Sequence, residues 1–289
     1  MQCNICPMEC NSDKVSDFGF CNAPNFLKVN TSLLHFGEEP ALSGTQGSGT
    51  IFFSHCNMQC CYCQNYKISN LGAGGRITED EFIRMALELQ EKKANNINLV
   101  SPTPYTLILL PILEKLKKSG LNIPIIWNSN SYEKVETLKL LEGLIDIYLP
   151  DFRYWNDEVA FTYSKIKNYR FNAQEAIKEM IRQTGNLKTD EDEIAIFGTL
   201  IRLLILPTNK NEVDHIIRWL FETFGNKIYI SLMSQYYPAH KAYLFKELKT
   251  GVSKAEYDSI VNDMLKLGFE NGFIQEPATT PEWTPNFDV

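Results

Sequence analysis

The strongest constraint in this sequence is one short stretch, Cys56-Asn57-Met58-Gln59-Cys60-Cys61-Tyr62-Cys63, which sets cysteines in a C-x3-C-x2-C spacing. Thiolates this close together can converge on one metal centre, as cysteine runs do in iron–sulfur proteins. Cys56, Cys60 and Cys63 are one ligand short of a four-iron cubane, so a [4Fe–4S] cluster held here keeps one iron open to something else. Cys61 falls out of ligand register. Adjacent thiolates rarely reach one cube together, and Cys61 reads as a small packing residue.

A second set precedes it: Cys3-x2-Cys6-x3-Cys10-x10-Cys21, with Pro7 and Gly19 among the cysteines. This spacing suits a tight knuckle around either a tetrahedral zinc or a further iron–sulfur cluster, because both accept four sulfurs. All eight cysteines of the 289-residue chain lie between Cys3 and Cys63. Disulfides that staple a fold would not ignore most of it, so metal ligation explains the clustering better. Thiols kept for metal point to the reducing cytoplasm. No secretory signal opens the chain, and no apolar run of about 18 residues or more predicts a membrane span. The net charge of −7 argues against a nucleic-acid binder, which carries a basic surface. A protein, peptide or small-molecule partner is the default.

Beyond the cysteines the pattern alternates. Residues 31–49, with Gly37-Glu38-Glu39-Pro40 and Gly44 to Gly49, read as glycine-rich turns. Apolar runs then predict six strands, over 50–54, 97–100, 124–127, 144–149, 199–206 and 227–233. Helical patterns separate or follow them over 78–89, 105–118 (with Pro111 inside), 132–141, 157–167, 173–184, 213–221 and 253–267. Thr78 and Ser253 each open a capping box with a glutamate three residues on. Strands joined by crossover helices imply parallel pairing. The expected fold is therefore α/β, a partial (β/α)6 TIM-type barrel with an N-terminal cysteine-rich knuckle. A doubly wound open sheet is the alternative. The expected units are a metal-binding knuckle over 1–30, a barrel over 31–268 and an extended tail over 269–289, with Trp283 as an anchor.

In such barrels function gathers at the C-terminal ends of the strands. The residues there are His55 and Cys56, Ser101 and Thr103, Asn128 to Asn130, Asp151 and Arg153, Thr208 and Asn209, and Ser234 and Gln235. They are polar at every strand, and the cysteine stretch falls on the same rim. Arg202 lies within an apolar strand and needs a partner there, either a nearby acidic residue or a bound anionic group. His55 is placed to hydrogen-bond near the cluster. His215 sits on a helix patterned for packing.

These residues together resemble the radical S-adenosylmethionine (SAM) superfamily, and within it the pyruvate formate-lyase activating-enzyme-like branch. The resemblance covers almost the whole chain. It rests on the C-x3-C-x2-C motif, the N-terminal knuckle, Gly37 to Pro40, Gly47-Ser48-Gly49, Asn96 to Val100, Tyr148 to Arg153 and Gln235 to Pro238. It implies that Cys56, Cys60 and Cys63 hold three irons of a [4Fe–4S] cluster, while the amino and carboxylate groups of SAM chelate the fourth. One electron, from a donor such as flavodoxin or ferredoxin, then cleaves SAM to methionine and a 5′-deoxyadenosyl radical that abstracts hydrogen from a substrate. By position, Tyr62 matches the aromatic beside the adenine. Ser101-Pro102-Thr103 replaces the Gly-Gly-Glu run that binds the SAM amino group. Asn128 and Ser129 stand at an Asp-Thr-Asn run, and Asp151 and Arg153 at an Asp-x-Lys. Arg202 matches a strand arginine near the SAM carboxylate, and Gln235 replaces a histidine. The substrate implied is a glycine of a glycyl radical enzyme, or another peptide or small molecule. Taken without the resemblance, the two cysteine sets would also suit a non-enzymatic metal-binding module or a two-cluster electron carrier.

Overall fold

The computed structural model describes residues 2–275, Pro285 and Phe287. Trp283, with Pro277 and Pro281, lies outside the described residues. The chain enters the sheet through β1 (Lys28–His35), turns through the short helix α1 (Pro40–Ser43) and returns along β2 (Ser48–Phe53). The cysteine loop follows, then α2 (Tyr66–Ser69), β3 (Gly75–Arg76) and α3 (Glu79–Glu91). Regular units succeed it: β4 (Ile97–Val100), α4 (Thr106–Lys118), β5 (Ile125–Ser129), α5 (Val135–Lys139) and β6 (Ile147–Pro150). Two helices, α6 (Asp157–Ser164) and α7 (Tyr169–Thr184), and a two-residue β7 (Lys188–Thr189) lead to β8 (Ala195–Leu204). The chain ends through α8 (Val213–Phe224), β9 (Tyr229–Met233), α9 (Lys254–Leu267) and β10 (Asn271–Ile274).

Among the described residues the strands form one sheet in the order β10-β9-β8-β6-β5-β4-β2-β1-β3, with β7 attached to β8. The run from β2 to β10 is parallel throughout. Its order follows the chain without reversal, which is the winding of a barrel; a doubly wound sheet reverses at a switch point. The expected partial barrel is therefore found, with two corrections at its ends. A seventh parallel strand, β10, lies in what reads in sequence as extended tail. The stretch read as turns from residue 31 opens with the end of the antiparallel strand β1, which begins at Lys28 and crosses the boundary placed at residue 30.

The parallel strands are buried because helices cover them outside and side chains fill them inside. Every residue of β2, β4, β5 and β6 is buried. Full burial of one large aliphatic or aromatic side chain contributes roughly 1.5–3 kcal/mol. Gly49 in β2 has no room for more: a Cβ would stand 2.7 Å from the Asn96 carbonyl. The capping boxes of α3 and α9 form as expected, on Thr78 with Glu81 and Ser253 with Glu256. Pro111 lies inside α4 at an exposed position, where the lost backbone donor is easiest to tolerate. The helix expected over 132–141 is only the five residues of α5, because the chain before it is committed to the rim through Asn130 and Glu133.

Candidate active site at the barrel rim

The loop after β2 carries the cysteine motif, and α6 holds that loop in place. The last carbonyls of a helix lack intrahelical partners. Here the carbonyls of Tyr163 and Ser164 accept from the backbone N–H groups of Cys61 (2.7 Å) and Gln59 (3.1 Å). Lys165 ends the helix in the left-handed conformation (φ 61°) and frees those carbonyls for the loop. His55 enters the loop with φ 69°, its ring close against Gly72, where a Cβ would fall 2.4 Å from the ring.

Cys56, Cys60 and Cys63 line one cavity of about 190 Å³. The same cavity is lined by Ser101, Asn128, Ser129, Asn130, Asp151, Arg153 and Gln235, which stand at or just past the ends of β4, β5, β6 and β9. Each thiol meets a polar side chain, and Cys56 meets a second, Asn57. Asn130 Nδ2 donates to Cys56 Sγ (3.3 Å), Ser164 Oγ donates to Cys60 Sγ (3.0 Å), and Ser69 Oγ lies 3.0 Å from Cys63 Sγ. Burial pushes Cys56 up to about 11 and Cys63 up to about 12, each helped by the neighbouring Cys60. These thiols therefore hold their protons until a metal takes them. Cys61 is buried beside Tyr163 and Tyr236 and does not line the cavity.

The floor of the cavity is a buried ion-pair network. Arg202 uses all three of its guanidinium nitrogens within the protein: Nε to Asp151 (2.8 Å), Nη1 to Glu38 (3.0 Å) and Nη2 to Asn128 (2.6 Å). Arg153 pairs with the other oxygen of Asp151 at 2.5 Å. Of the two partners open to Arg202 in sequence, the acidic residue is the one seen. Burial opposes its charge, and Asp151, Glu38 and Glu39 outweigh that and hold it protonated. Burial likewise pushes Glu38 and Glu39 up, against the pull of Arg202.

Several expected rim residues turn elsewhere. Thr103 is buried and donates to Glu133, on the side of the N-terminal knuckle. Ser129 lines the cavity while its hydroxyl also donates to Glu133, as does Trp127 Nε1. Tyr62 does not line the cavity; it packs edge-on against Tyr154, Tyr163 and Tyr236. Thr208 and Asn209 follow β8 by four residues and more, and serve α9 and the start of α8. His55 bonds to the backbone of Cys21 in the knuckle, away from the cluster loop, and burial lowers it to about 4. His215 is half-exposed on α8 beside Trp155.

Sequence reasoning missed Glu38, Ser69, Ser164 and Glu133. Only Glu38 left a signal: two adjacent acids before a proline, in a stretch whose strands are otherwise apolar. The loop carrying it follows β1 at the opposite end of the barrel, and Asn98 in β4 donates to it (3.0 Å).

The knuckle packs on the outside of the same rim. Cys3, Cys6, Cys10 and Cys21 line a small space of about 10 Å³, near the lower limit for one water molecule, together with Asn57 of the cysteine loop. Burial, then the neighbouring Cys21, Cys10 and Cys3, push Cys6 up to about 12. Among the described residues no group of three or more His, Cys, Asp and Glu side chains is pre-formed around a single metal ion. All eight cysteines are free thiols.

A barrel of this winding, with three converging thiols on its C-terminal rim beside an open cavity, defines an enzyme of the radical SAM class. A model of the radical SAM superfamily matches residues 50–220, and the chain belongs to that superfamily. It is similar to the uncharacterized protein MJ0674 of Methanocaldococcus jannaschii, at 32% identity over 267 residues, covering 89% of this chain and 72% of that one. It is also similar in fold to HydG, a maturase of the [FeFe]-hydrogenase, with a TM-score of 0.52 at 15% identity. That match covers 79% of this chain and 51% of the HydG chain, so this chain spans about half its length. The family implies a [4Fe–4S] cluster and SAM, and the donor set fits: three thiols, two buried and one partly so, each with a side-chain partner and facing one cavity. Among the described residues no helix is long and apolar enough to cross a membrane.

Proposed function

We propose that Cys56, Cys60 and Cys63 hold the cluster, that SAM occupies the cavity beside them, and that the radical produced there takes hydrogen from a glycine of a partner enzyme or from a related peptide. The observation that carries this reading is the single cavity shared by the three thiols and the polar ends of four parallel strands. The chemistry such a cluster supplies when reduced is one electron to the SAM sulfonium, splitting it into methionine and a 5′-deoxyadenosyl radical.

The chain's own residues would bind and orient. Ser101 and the nearby carbonyls would take the SAM amino group, in the absence of a glutamate at this turn. Asn128, Arg153 and Gln235 would face the carboxylate and the ribose. In the floor two carboxyls, on Glu38 and Asp151, pair with two guanidiniums, on Arg153 and Arg202. The apolar side of the cavity, with Phe52, Val100, Leu204 and Met233, would exclude water from the radical.

The knuckle would hold a second metal, zinc or iron–sulfur, and a small reducing protein such as flavodoxin or ferredoxin would deliver the electron. Reduced thiols throughout the chain support work in the cytoplasm. The test is anaerobic reconstitution followed by a SAM-cleavage assay with dithionite. 5′-Deoxyadenosine is expected, and hydrogen from the true substrate should appear in it when that substrate is deuterated. Cluster-loaded, reduced protein that yields none under any condition sinks the proposal.

A further inference from the structure

The three side chains that meet the rim thiols differ in what stands behind them. Asn130 Nδ2 divides its protons between Cys56 and Asn57. Ser69 has one hydroxyl proton and three neighbours that could accept it: Cys63 at 3.0 Å, the Asn65 carbonyl at 2.9 Å and Asn70 Oδ1 at 3.1 Å. Ser164 is different. Its hydroxyl donates to Cys60 at 3.0 Å, and its other contact among the described residues is a second hydroxyl. Behind it stand Tyr154, 2.6 Å away, and Tyr62, whose hydroxyl lies 2.5 Å from that of Tyr154. All of these groups are buried, Ser164 and Tyr154 completely.

Proton counting fixes the direction of this chain. A metal-bound thiolate has no proton and can only accept. With the one proton of Ser164 given to Cys60, Tyr154 has to donate to Ser164, and Tyr62 in turn to Tyr154. Each donation polarises the next. Hydrogen bonds to the sulfurs are one of the levers that set a cluster's reduction potential. Reduction adds negative charge to the sulfurs, so a donor stabilises the reduced form more and raises the potential. The bonds from Gln59 and Cys61 to the end of α6 hold Cys60 over Ser164 while this happens.

We propose that Ser164, backed by Tyr154 and Tyr62, sets the reduction potential of the rim cluster through Cys60. Ser164 is a positioning residue, since it acts only through the sulfur. The proposal rests on the reading of Cys60 as an iron ligand.

The experiment is a redox titration, followed by EPR, of anaerobically reconstituted protein without SAM, so that it does not depend on turnover. Ser164→Ala is expected to move the midpoint to a more negative potential. Tyr154→Phe should move it the same way by less, and Tyr62→Phe by less again. Ser164→Thr, which restores a hydroxyl, should return it toward the original value. At a solution potential fixed at the wild-type midpoint, a tenfold fall in the reduced-to-oxidised ratio corresponds to 59 mV for one electron. Iron and sulfide are counted in every variant. An unmoved midpoint in Ser164→Ala at full iron content overturns the proposal and leaves the iron reading standing. Full cluster loading in Cys60→Ala overturns the iron reading itself. Should Ser164→Ala fail to load, Tyr154→Phe keeps the hydroxyl on Cys60 and still reads the chain, and no shift there has the same negative meaning.

Discussion

In the knuckle, the thiols are gathered by one short stretch of chain whose backbone is folded on itself by its own bonds, Cys3 N–H to the Ser12 carbonyl, Asn11 N–H to the Cys3 carbonyl and Phe20 N–H to Cys10 Sγ, while Lys134, Thr137 and Gln59 tie it to the barrel. At the rim, the thiols are held by residues brought from elsewhere, Asn130 after β5 and Ser164 at the end of α6. The knuckle's four cysteines line a space of about 10 Å³, whereas the rim's three line one of about 190 Å³. A closed sulfur set suits a structural metal, and a site with an open position suits a reactant. The difference teaches that ligand number and surroundings agree within each set: where one thiol is lacking, the fold supplies a cavity with a charged floor.

The largest effects should come from breaking the rim. Alanine at Cys56, Cys60 or Cys63 is expected to remove the rim cluster's EPR signal and bring SAM cleavage down to background, while Cys61→Ala keeps both. Cys10→Ser should lower total metal and leave the rim signal in place; a lost rim signal would show that the two sets are not independent. Next comes the floor. Arg202→Met leaves Glu38 buried without its ion-pair partner and Asp151 with Arg153 alone, and should cost about 3–5 kcal/mol in urea unfolding. Asn57 joins the two regions, donating to the Tyr132 carbonyl at 2.6 Å and facing the knuckle space. Asn57→Ala should cost about 1–3 kcal/mol by calorimetry, through the carbonyl it leaves unpaired. The smallest effect is expected for Thr137→Val, which removes the bond to the Ile5 carbonyl (2.8 Å). About 1 kcal/mol and faster loss of the knuckle metal to a chelator, with an unchanged rim signal, would sharpen the separation.

Much of this comparison was legible in the sequence. Cysteine spacing is a local property, and the apolar runs of the central parallel strands stand out because both faces are buried. β1 was not legible because it is a half-buried antiparallel strand: only Val29 of Lys28–His35 is buried. β10 is a short, half-exposed segment with a glycine, and it is a strand only because β9 pairs with it. The rim's acids and hydroxyls were hidden for another reason. Glu38 meets Arg202 across 164 positions, and Ser164 meets Cys60 across 104. Thr103 and Tyr62 were drawn toward the cavity by position alone, while Glu133 and Tyr154 claim their polar atoms.

The hold of α6 on the cysteine loop has a consequence for how the chain matures. During synthesis the knuckle's internal contacts are complete once its own residues have emerged. The rim thiols, by contrast, lack the helix that secures them until 104 further residues have followed Cys60 and the intervening strands have paired. Contacts so distant form late, because loop closure must precede them. The pocket that would receive the cluster is thus completed only in an almost finished barrel, whereas the knuckle's own backbone bonds need no more than its first 25 residues.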